Sequence, residues 1–160
     1  MRWKTDRNQA TQDSSSLSEA TLSIDCLTRQ NHPVHVKAVV SFRIDVGPAA
    51  AVKRARRTPR EELSPQVHDI FARQLRSVVG TFAWDEMLRD RLQLTGRIAA
   101  AGEPEMTELG LRVDTVTVRA LDFPYDSEPS VILRAADAKM KAREKAKAQE
   151  AAASATASDD

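Results

Sequence analysis

Hydrophobic and polar residues alternate along two early stretches of the chain. The first stretch covers residues 21–29, the turn-forming residues 30–33 follow, and the second stretch covers residues 34–44. Apolar side chains at every second position place one face of each strand in a core. The residues on this face are Leu22, Ile24, Cys26, Val34, Val36, Ala38, Val40, Phe42 and Ile44. The pattern predicts a β-hairpin, and its second strand is the strongest strand signal in the chain.

The hydrophobic period then changes to three or four residues, which is typical of helices. Residues 48–57 begin with a proline and predict a short helix, because proline is tolerated at the first helical position. A second helix is predicted to begin with Thr58 as its N-cap, Pro59 in its first turn and Glu61 completing a capping box, and to end at Gly80. Its predicted apolar face consists of Val67, Ile70, Phe71, Leu75, Val78 and Val79.

A third helix is predicted from Trp84 to Gly110, where a left-handed C-cap favours a residue without a Cβ. Its predicted apolar face consists of Leu88, Leu92, Thr95, Ile98, Ala99, Met106 and Leu109. We expect a kink near residues 101–104, because Pro104 removes a backbone hydrogen bond. After Gly110 the period becomes two, which predicts a strand that ends near Pro124 and lies on the apolar face of the preceding helix.

The remaining residues predict one more helix, which leaves the folded domain. Ser127 and the two residues after it form a helix start, and the alanine- and lysine-rich sequence that follows favours helix strongly. Its apolar edge is mostly alanine, so we expect it to need a partner helix. We therefore predict an α+β domain over residues 21–124, with a small antiparallel sheet packed with helices. A protruding C-terminal helix follows over residues 125–153, and residues 1–20 and 154–160 are expected to be disordered.

Composition excludes some classes of function. The chain has 160 residues, of which 41% are hydrophobic and 4% aromatic, so its core is small and mostly aliphatic. The net charge of +1 provides no global field that would attract nucleic acid or anionic membranes. Cys26 is the single cysteine, so no intramolecular disulfide can form. We find no apolar run near the ~20 residues of a membrane-spanning helix, and no secretory signal peptide.

The sequence offers little catalytic chemistry. His32 and His35 form an H-x-x-H pair, but the other ligands of a metal site do not accompany them, so we expect no metal. We find neither a serine nor a cysteine nucleophile beside an activating base, and no glycine-rich phosphate loop. We therefore predict no enzymatic activity, no catalytic residues and no cofactor.

Two basic clusters are the remaining candidates for binding. The first contains Lys53, Arg54, Arg56, Arg57 and Arg60, and the second contains Arg134, Lys139, Lys141, Arg143, Lys145 and Lys147. Each could bind anionic lipid or RNA, or form a solvated helix face. Aromatic residues that would stack on bases do not alternate with these charges, so no nucleic acid partner is expected. We expect Arg134, Lys139, Arg143 and Lys147 to lie on one broad flank of the last helix and to serve oligomerisation or interaction.

Five motifs in order make the chain resemble a known family. They are Thr28–Asn31 (TRQN), Ala38–Val40 (AVV), Arg76–Gly80 (RSVVG), Glu86–Arg91 (EMLRDR) and the glycine-initiated strand Gly110–Pro124. This arrangement is similar to the band 7 or SPFH domain of stomatins, prohibitins and flotillins, and most similar to stomatin-like proteins. The resemblance covers about residues 21–153.

The resemblance implies a non-catalytic scaffold that assembles side by side with copies of itself or with related SPFH proteins at a membrane. Such scaffolds regulate membrane proteases and channels, and their last helix bundles with its neighbours as in a coiled coil. We expect Gly80, Gly110 and Pro124 to be structural junctions, and the protein to be cytoplasmic and peripheral to the membrane. Two alternatives remain: a soluble interaction or regulatory module without membrane contact, and an RNA-binding module that uses the basic clusters.

Overall fold

The computed structural model describes residues 17–44 and 47–157. The elements within them are β1 (Ser18–Leu27), β2 (Pro33–Ile44), α1 (Ala49–Arg57), α2 (Arg60–Val79), α3 (Trp84–Arg89), α4 (Arg91–Glu108), β3 (Leu111–Asp122) and α5 (Glu128–Thr156). This architecture confirms the predicted α+β class, with a small antiparallel sheet, packed helices and a long C-terminal helix. The predicted disorder of the two termini falls largely on residues 1–16 and 158–160, which lie outside the described residues. Strand β1 begins three residues earlier than predicted, and α5 extends three residues further.

The sheet has the strand order β1-β2-β3, with antiparallel pairing on both sides of β2. The turn between β1 and β2 contains Asn31 with a φ of 60°, a left-handed conformation that asparagine tolerates better than most residues. The backbone N–H of Arg29 donates to the carbonyl of Phe82 at 2.9 Å, which ties this turn to the segment after α2. The predicted hairpin is therefore confirmed, and its turn is attached to the helical layer.

One face of the sheet lies against α2 and α4. The predicted inward positions of β1 and β2 are buried, except that Ile44 is half-buried. All six predicted apolar residues of α2 are buried as well. Helix α4 approaches α2 closely at Gly102, where an added Cβ would lie 2.5 Å from the ring of Phe71. At the exposed rim, Glu105 of α4 accepts hydrogen bonds from Arg73 at 2.6 Å and from Gln74 at 2.8 Å.

The predicted third helix is interrupted at a different place from the expected kink. Helix α4 passes through Pro104, and the chain leaves helical geometry at Asp90, where φ is −129° and ψ is 74°. The Asp90 carboxylate accepts a hydrogen bond from the backbone N–H of Gln93 at 3.0 Å and caps α4. This break changes which side chains face the core. Met87 and Leu94 are buried, and Leu92, which we had expected in the core, is 86% exposed.

The predicted start of α2 was also wrong by one residue. Pro59 is the N-cap, and no side chain caps the helix there. The hydroxyl of Thr58 instead donates to the carbonyl of Arg54 at 2.9 Å, so Thr58 closes the end of α1. Because α1 and α2 are separated by only two residues, one threonine could serve either end, and its hydroxyl serves the end of α1.

Candidate interaction surfaces

Gly110 connects α4 to β3 at a very close backbone contact. Its φ is +75°, the left-handed conformation predicted from its place after the helix. A Cβ at this position would lie 2.6 Å from the carbonyl carbon of Ala51 and from the backbone nitrogen of Val52. Gly47, with a φ of +138°, lies beside it, its Cβ position 3.3 Å from the Gly110 Cα. Gly110 therefore allows α1 to pack directly on the end of the sheet where β3 begins, and Gly47 allows the segment before α1 to lie against the backbone of Thr107.

The other two predicted junction residues occupy ordinary positions. Gly80 is the C-cap of α2, and its φ of −61° is right-handed, so this helix ends without the left-handed conformation. Pro124 lies two residues after β3, and its carbonyl accepts hydrogen bonds from the backbone N–H of Ser127 at 2.9 Å and from the Ser127 hydroxyl at 2.6 Å. Pro124 therefore helps to form the turn from which α5 begins.

Helix α5 is attached to the domain through its first turn. The Ser127 side chain accepts from the backbone N–H of Ser130, and the Ser130 hydroxyl donates to the carbonyl of Phe123 at 3.1 Å. Pro129 is the one buried residue of this helix. Across the turn, Nε2 of His32 lies 3.5 Å from a carboxylate oxygen of Glu128. The predicted helix start at Ser127 is therefore confirmed, and these contacts connect it to the hairpin turn and to the end of β3.

An open groove of about 310 Å³ lies beside this attachment, between the end of β3 and the start of α5. Leu121, Phe123 and Leu133 provide its apolar lining, and Tyr125 and Arg134 form part of its wall. The guanidinium carbon of Arg134 lies 3.7 Å from the centre of the Tyr125 ring, and Nη2 donates to the Tyr125 carbonyl at 2.8 Å. The sequence analysis missed this groove, because it is formed by residues from two elements and by a turn whose path no periodicity predicts.

Beyond its first turn, α5 is exposed throughout its described length. Lys139, Arg143 and Lys147 are four residues apart and therefore share one flank. Arg134 lies about 140° around the helix from Lys139, at about 100° per residue, and it is held by Tyr125. The four cations predicted to form one flank are therefore divided into a group of three and one residue that belongs to the groove.

Helix α1 presents the first basic cluster on an open surface. Lys53, Arg54, Arg56 and Arg57 are all exposed, and none of them forms an ion pair with a described residue. Ala51 and Ala55 are the buried residues of this helix. The remaining predicted member, Arg60, is exposed at the start of α2 and has an interaction partner.

The two histidines of the H-x-x-H pair contact different residues. His35 lies on the outer face of the sheet, where Nδ1 is 2.6 Å from an Asp25 carboxylate oxygen and Nε2 is 2.7 Å from the Ser23 hydroxyl. This is the hydrogen-bond order of a nucleophilic triad, but the Asp25 side chain is 91% exposed, so solvent screens its charge. Across residues 17–44 and 47–157 no group of three His, Cys, Asp or Glu side chains could hold a metal ion.

The sequence analysis did not identify this trio, because the predicted turn at residues 30–33 would set Asp25 opposite Ala38. The observed loop covers residues 28–32, and the resulting register sets Asp25 opposite His35. Directly opposed side chains of an antiparallel pair lie close enough to interact.

The structure contains no described helix that is both long and apolar enough to cross a membrane. Comparison with models of protein families matches the SPFH domain / Band 7 family over residues 2–157. Among curated proteins, the chain is similar to a stomatin homologue of Pyrococcus horikoshii, with 28% identity over 111 residues. The matched region is 69% of this chain and 40% of the length of that relative.

Proposed function

The chain belongs to the SPFH domain / Band 7 family, and from this premise we propose that it is a scaffold that self-assembles at a membrane through its folded domain and helix α5. The family consists of membrane-associated proteins that are generally non-catalytic scaffolds. We propose the division into a folded domain over residues 21–124 and an interaction helix over residues 125–153. Its partners are copies of itself or related SPFH proteins.

The observation that supports self-assembly is the exposure of α5. This helix has 29 residues, and only Pro129 is buried. It exposes Val131, Ile132 and Met140 at 51%, 45% and 60% of their surfaces. Most helices in proteins gain their stability from packing one face against a neighbour. A helix that leaves the domain with uncovered apolar side chains is suited to packing against the same helix of another copy.

One face of α5 is suited to close helix packing. Val131, Ala135, Ala138, Ala142 and Ala146 recur at steps of three and four residues and therefore form one stripe. Small side chains allow two helix backbones to approach closely, and the flanking lysines and arginines keep the helix soluble. We name this set the alanine stripe and propose that it is the contact between neighbouring copies.

Deletion of residues 126–160 tests the proposal directly. The full chain is expected to form an oligomer, and the shortened chain is expected to be monomeric when its mass is measured by light scattering after size-exclusion chromatography. The circular dichroism of the shortened chain should retain the signal of the folded domain, because α5 buries only Pro129 against it. An unchanged oligomeric mass after the deletion contradicts assembly through α5.

A matched pair of full-length variants then tests the alanine stripe. Ala138→Glu with Ala142→Glu places two charges on the stripe and is expected to dissociate the oligomer. Ala148→Glu with Ala151→Glu places the same charges on other faces of the same helix and should leave the mass unchanged. If both variants dissociate to the same extent, added charge in general, and not the stripe, explains the effect.

Membrane association is the second part of the proposal, and flotation with liposomes tests it. A membrane scaffold co-migrates with the liposomes, whereas the alternative, a soluble interaction or regulatory module, stays at the bottom of the gradient. The resemblance to stomatins and prohibitins implies that the regulated partners are membrane proteases or channels. Cross-linking in native membranes, followed by identification of the bound proteins, would identify these partners.

A further inference from the structure

Helix α1 concentrates unpaired positive charge on one face. Lys53, Arg54, Arg56 and Arg57 lie within five consecutive positions, and α1 contains no acidic residue. Elsewhere in the described chain, four arginines of the domain form ion pairs with carboxylates: Arg29, Arg43, Arg73 and Arg89. Glu61 and Glu62 follow in the first turn of α2, but neither forms an ion pair with the four cations of α1. These four charges are therefore available to a ligand outside the chain.

The four cations point away from the domain. At about 100° per residue, they cover an arc of about 160° on the helix. The buried residues Ala51 and Ala55 lie on the opposite side. Helix α1 thus lies on the domain through small side chains and presents its basic side chains outwards. The nine-residue helix is about 14 Å long, so the basic face is a short strip.

The backbone fixes this strip in place. Gly110 allows the main chain of α1 to lie so close to the start of β3 that an added Cβ at Gly110 would lie 2.6 Å from Ala51 and Val52. A helix held by main-chain contacts cannot tilt away without breaking them. The basic strip is therefore held at the end of the sheet where β3 begins.

The strip and the start of α5 lie at opposite ends of the sheet. Leu111 pairs with Ile44 at the end beside α1, and Asp122 pairs with His35 at the end from which α5 begins. The strand between them has 12 residues and spans about 36 Å at about 3.3 Å per residue. Strand β1 also begins at the α1 end, where Ser18 pairs with Phe42. A surface contact made by α1 therefore leaves the groove and α5 free for protein contacts.

We infer that α1 is the site through which the domain binds the phosphate-bearing headgroups of an anionic lipid bilayer. This inference deepens the proposed function, because it rests on membrane association and assigns that association to four residues. Four cations on one short strip contact several headgroups at once, which suits a surface of negative charge. No acid on the strip opposes this attraction.

The observations favour a bilayer over RNA as the occupant. Single-stranded nucleic acid is bound by basic grooves whose aromatic side chains stack on the bases. Helix α1 contains no aromatic residue, and its basic side chains lie on the outer side of a helix and not in a groove. Helix α5 differs from α1 in its local charge, because Asp137, Glu144 and Glu150 are interspersed among its lysines and reduce that charge.

The test uses the full chain and vesicles of phosphatidylcholine containing about 30% phosphatidylserine, a surface that attracts basic segments. The variant K53Q/R54Q/R56Q/R57Q removes the four charges of α1 with a residue that favours helix. The control K141Q/K145Q removes two charges from α5 at positions not assigned to oligomerisation. Its matched partner R54Q/R57Q removes two charges from α1 and is expected to bind about 25-fold more weakly than the wild type. Each cation near an anionic surface changes affinity by about fivefold. We expect the quadruple α1 variant to bind at least about a hundredfold more weakly than the wild type, and the α5 control to bind within about fivefold of it.

Several results distinguish this inference from the proposed function. Loss of vesicle binding by the quadruple α1 variant, with oligomeric mass unchanged, supports the α1 site. Equal loss in the matched pair R54Q/R57Q and K141Q/K145Q overturns it, as does binding of the wild type to neutral vesicles with the same affinity. A wild type that assembles but does not bind anionic vesicles overturns the inference and leaves self-assembly intact. Binding of a single-stranded RNA that depends on α1, without vesicle binding, also overturns it.

A further variant addresses the fold of α1. R54K/R56K/R57K keeps all four charges and is expected to bind vesicles within about fivefold of the wild type, because the attraction depends on charge near the surface. If this variant keeps its circular dichroism spectrum and loses binding, the bilayer assignment fails, because the arginine geometry and not the charge is then required.

Discussion

Replacing Gly110 by alanine tests the contact between α1 and the start of β3 on which the position of the basic strip depends. The change adds one carbon atom. That atom would lie 2.6 Å from main-chain atoms of Ala51 and Val52, and 2.7 Å from the Val52 Cα. The three nearest atoms all belong to the backbone, so no flexible side chain can turn away to make room. Alanine must also adopt the left-handed φ of +75° that glycine adopts freely.

The two effects have separate magnitudes. A left-handed conformation costs a residue with a Cβ about 1–2 kcal/mol. Overpacking that forces a backbone shift costs about 1–3 kcal/mol. The sum, about 2–5 kcal/mol, is a large part of the ~5–15 kcal/mol that stabilises a typical domain. For a domain of about 100 residues it corresponds to a fall in Tm of roughly 10–30 °C.

The assay is urea denaturation followed by the fluorescence of Trp84, whose ring lies 6.2 Å from that of Phe123 in an edge-on contact. Trp3 is replaced by phenylalanine in all variants, so that Trp84 is the only fluorophore of its type. Gly96→Ala is the matched control, because a Cβ there meets no atom within 4 Å and the residue lies in α4. We expect that control to gain up to about 1 kcal/mol. A Gly110→Ala variant as stable as the wild type would refute the close contact.

Three further predictions concern the core, the link between α2 and α4, and the cysteine. Leu94→Ala should reduce the free energy of unfolding by about 2–5 kcal/mol, because Leu94 is fully buried; Leu92→Ala, at an 86% exposed position, should change it by at most about 0.5 kcal/mol in the same urea titration. Hydrogen bonds from Gln74 and Arg73 lower the pKa of Glu105 below its ordinary value of 4.5. Stability from ionised Glu105 is therefore present above pH 4.5 and is lost as the pH falls through the lowered pKa, so Glu105→Gln should flatten the pH dependence of stability in that acidic range. Burial raises the pKa of the Cys26 thiol to about 11, so about one thiol in a thousand is ionised at pH 8; a thiol reagent should modify the native protein slowly and the urea-unfolded protein rapidly, and equal rates would contradict burial.

The elements whose sequence signal is local were predicted well. The alternation of apolar and polar residues predicted both strands of the hairpin. Gly110 marked the end of α4, because the left-handed backbone conformation after a helix favours glycine. The break at Asp90 was missed because apolar residues continue at helical spacing on both sides of it. A signal was present: Asp90 followed three positions later by Gln93 has the residue types of a helix start, and Asp90 does cap α4.

The interaction surfaces were predictable only in part. The basic residues of α1 and α5 are visible in the sequence, but their exposure and pairing depend on tertiary structure. Arg134 illustrates the difference, since its contact with Tyr125 depends on the turn that joins β3 to α5. The groove is formed in the same way by residues of two elements. The pairing of Asp25 with His35 likewise depends on the observed loop of residues 28–32, which sets a different hairpin register from the predicted turn at residues 30–33.

The attachment of α5 through its first turn has an energetic consequence. Because Pro129 is its one buried residue, the outer turns of α5 open and close with the helix–coil equilibrium of their own sequence. Their amide protons should therefore exchange with solvent far faster than those of the sheet. Whole turns could be added to or removed from the free end without altering the stability of the domain. The length of α5 and the stability of the folded domain are thus separate properties. They become coupled only when the α5 helices of neighbouring copies lie side by side.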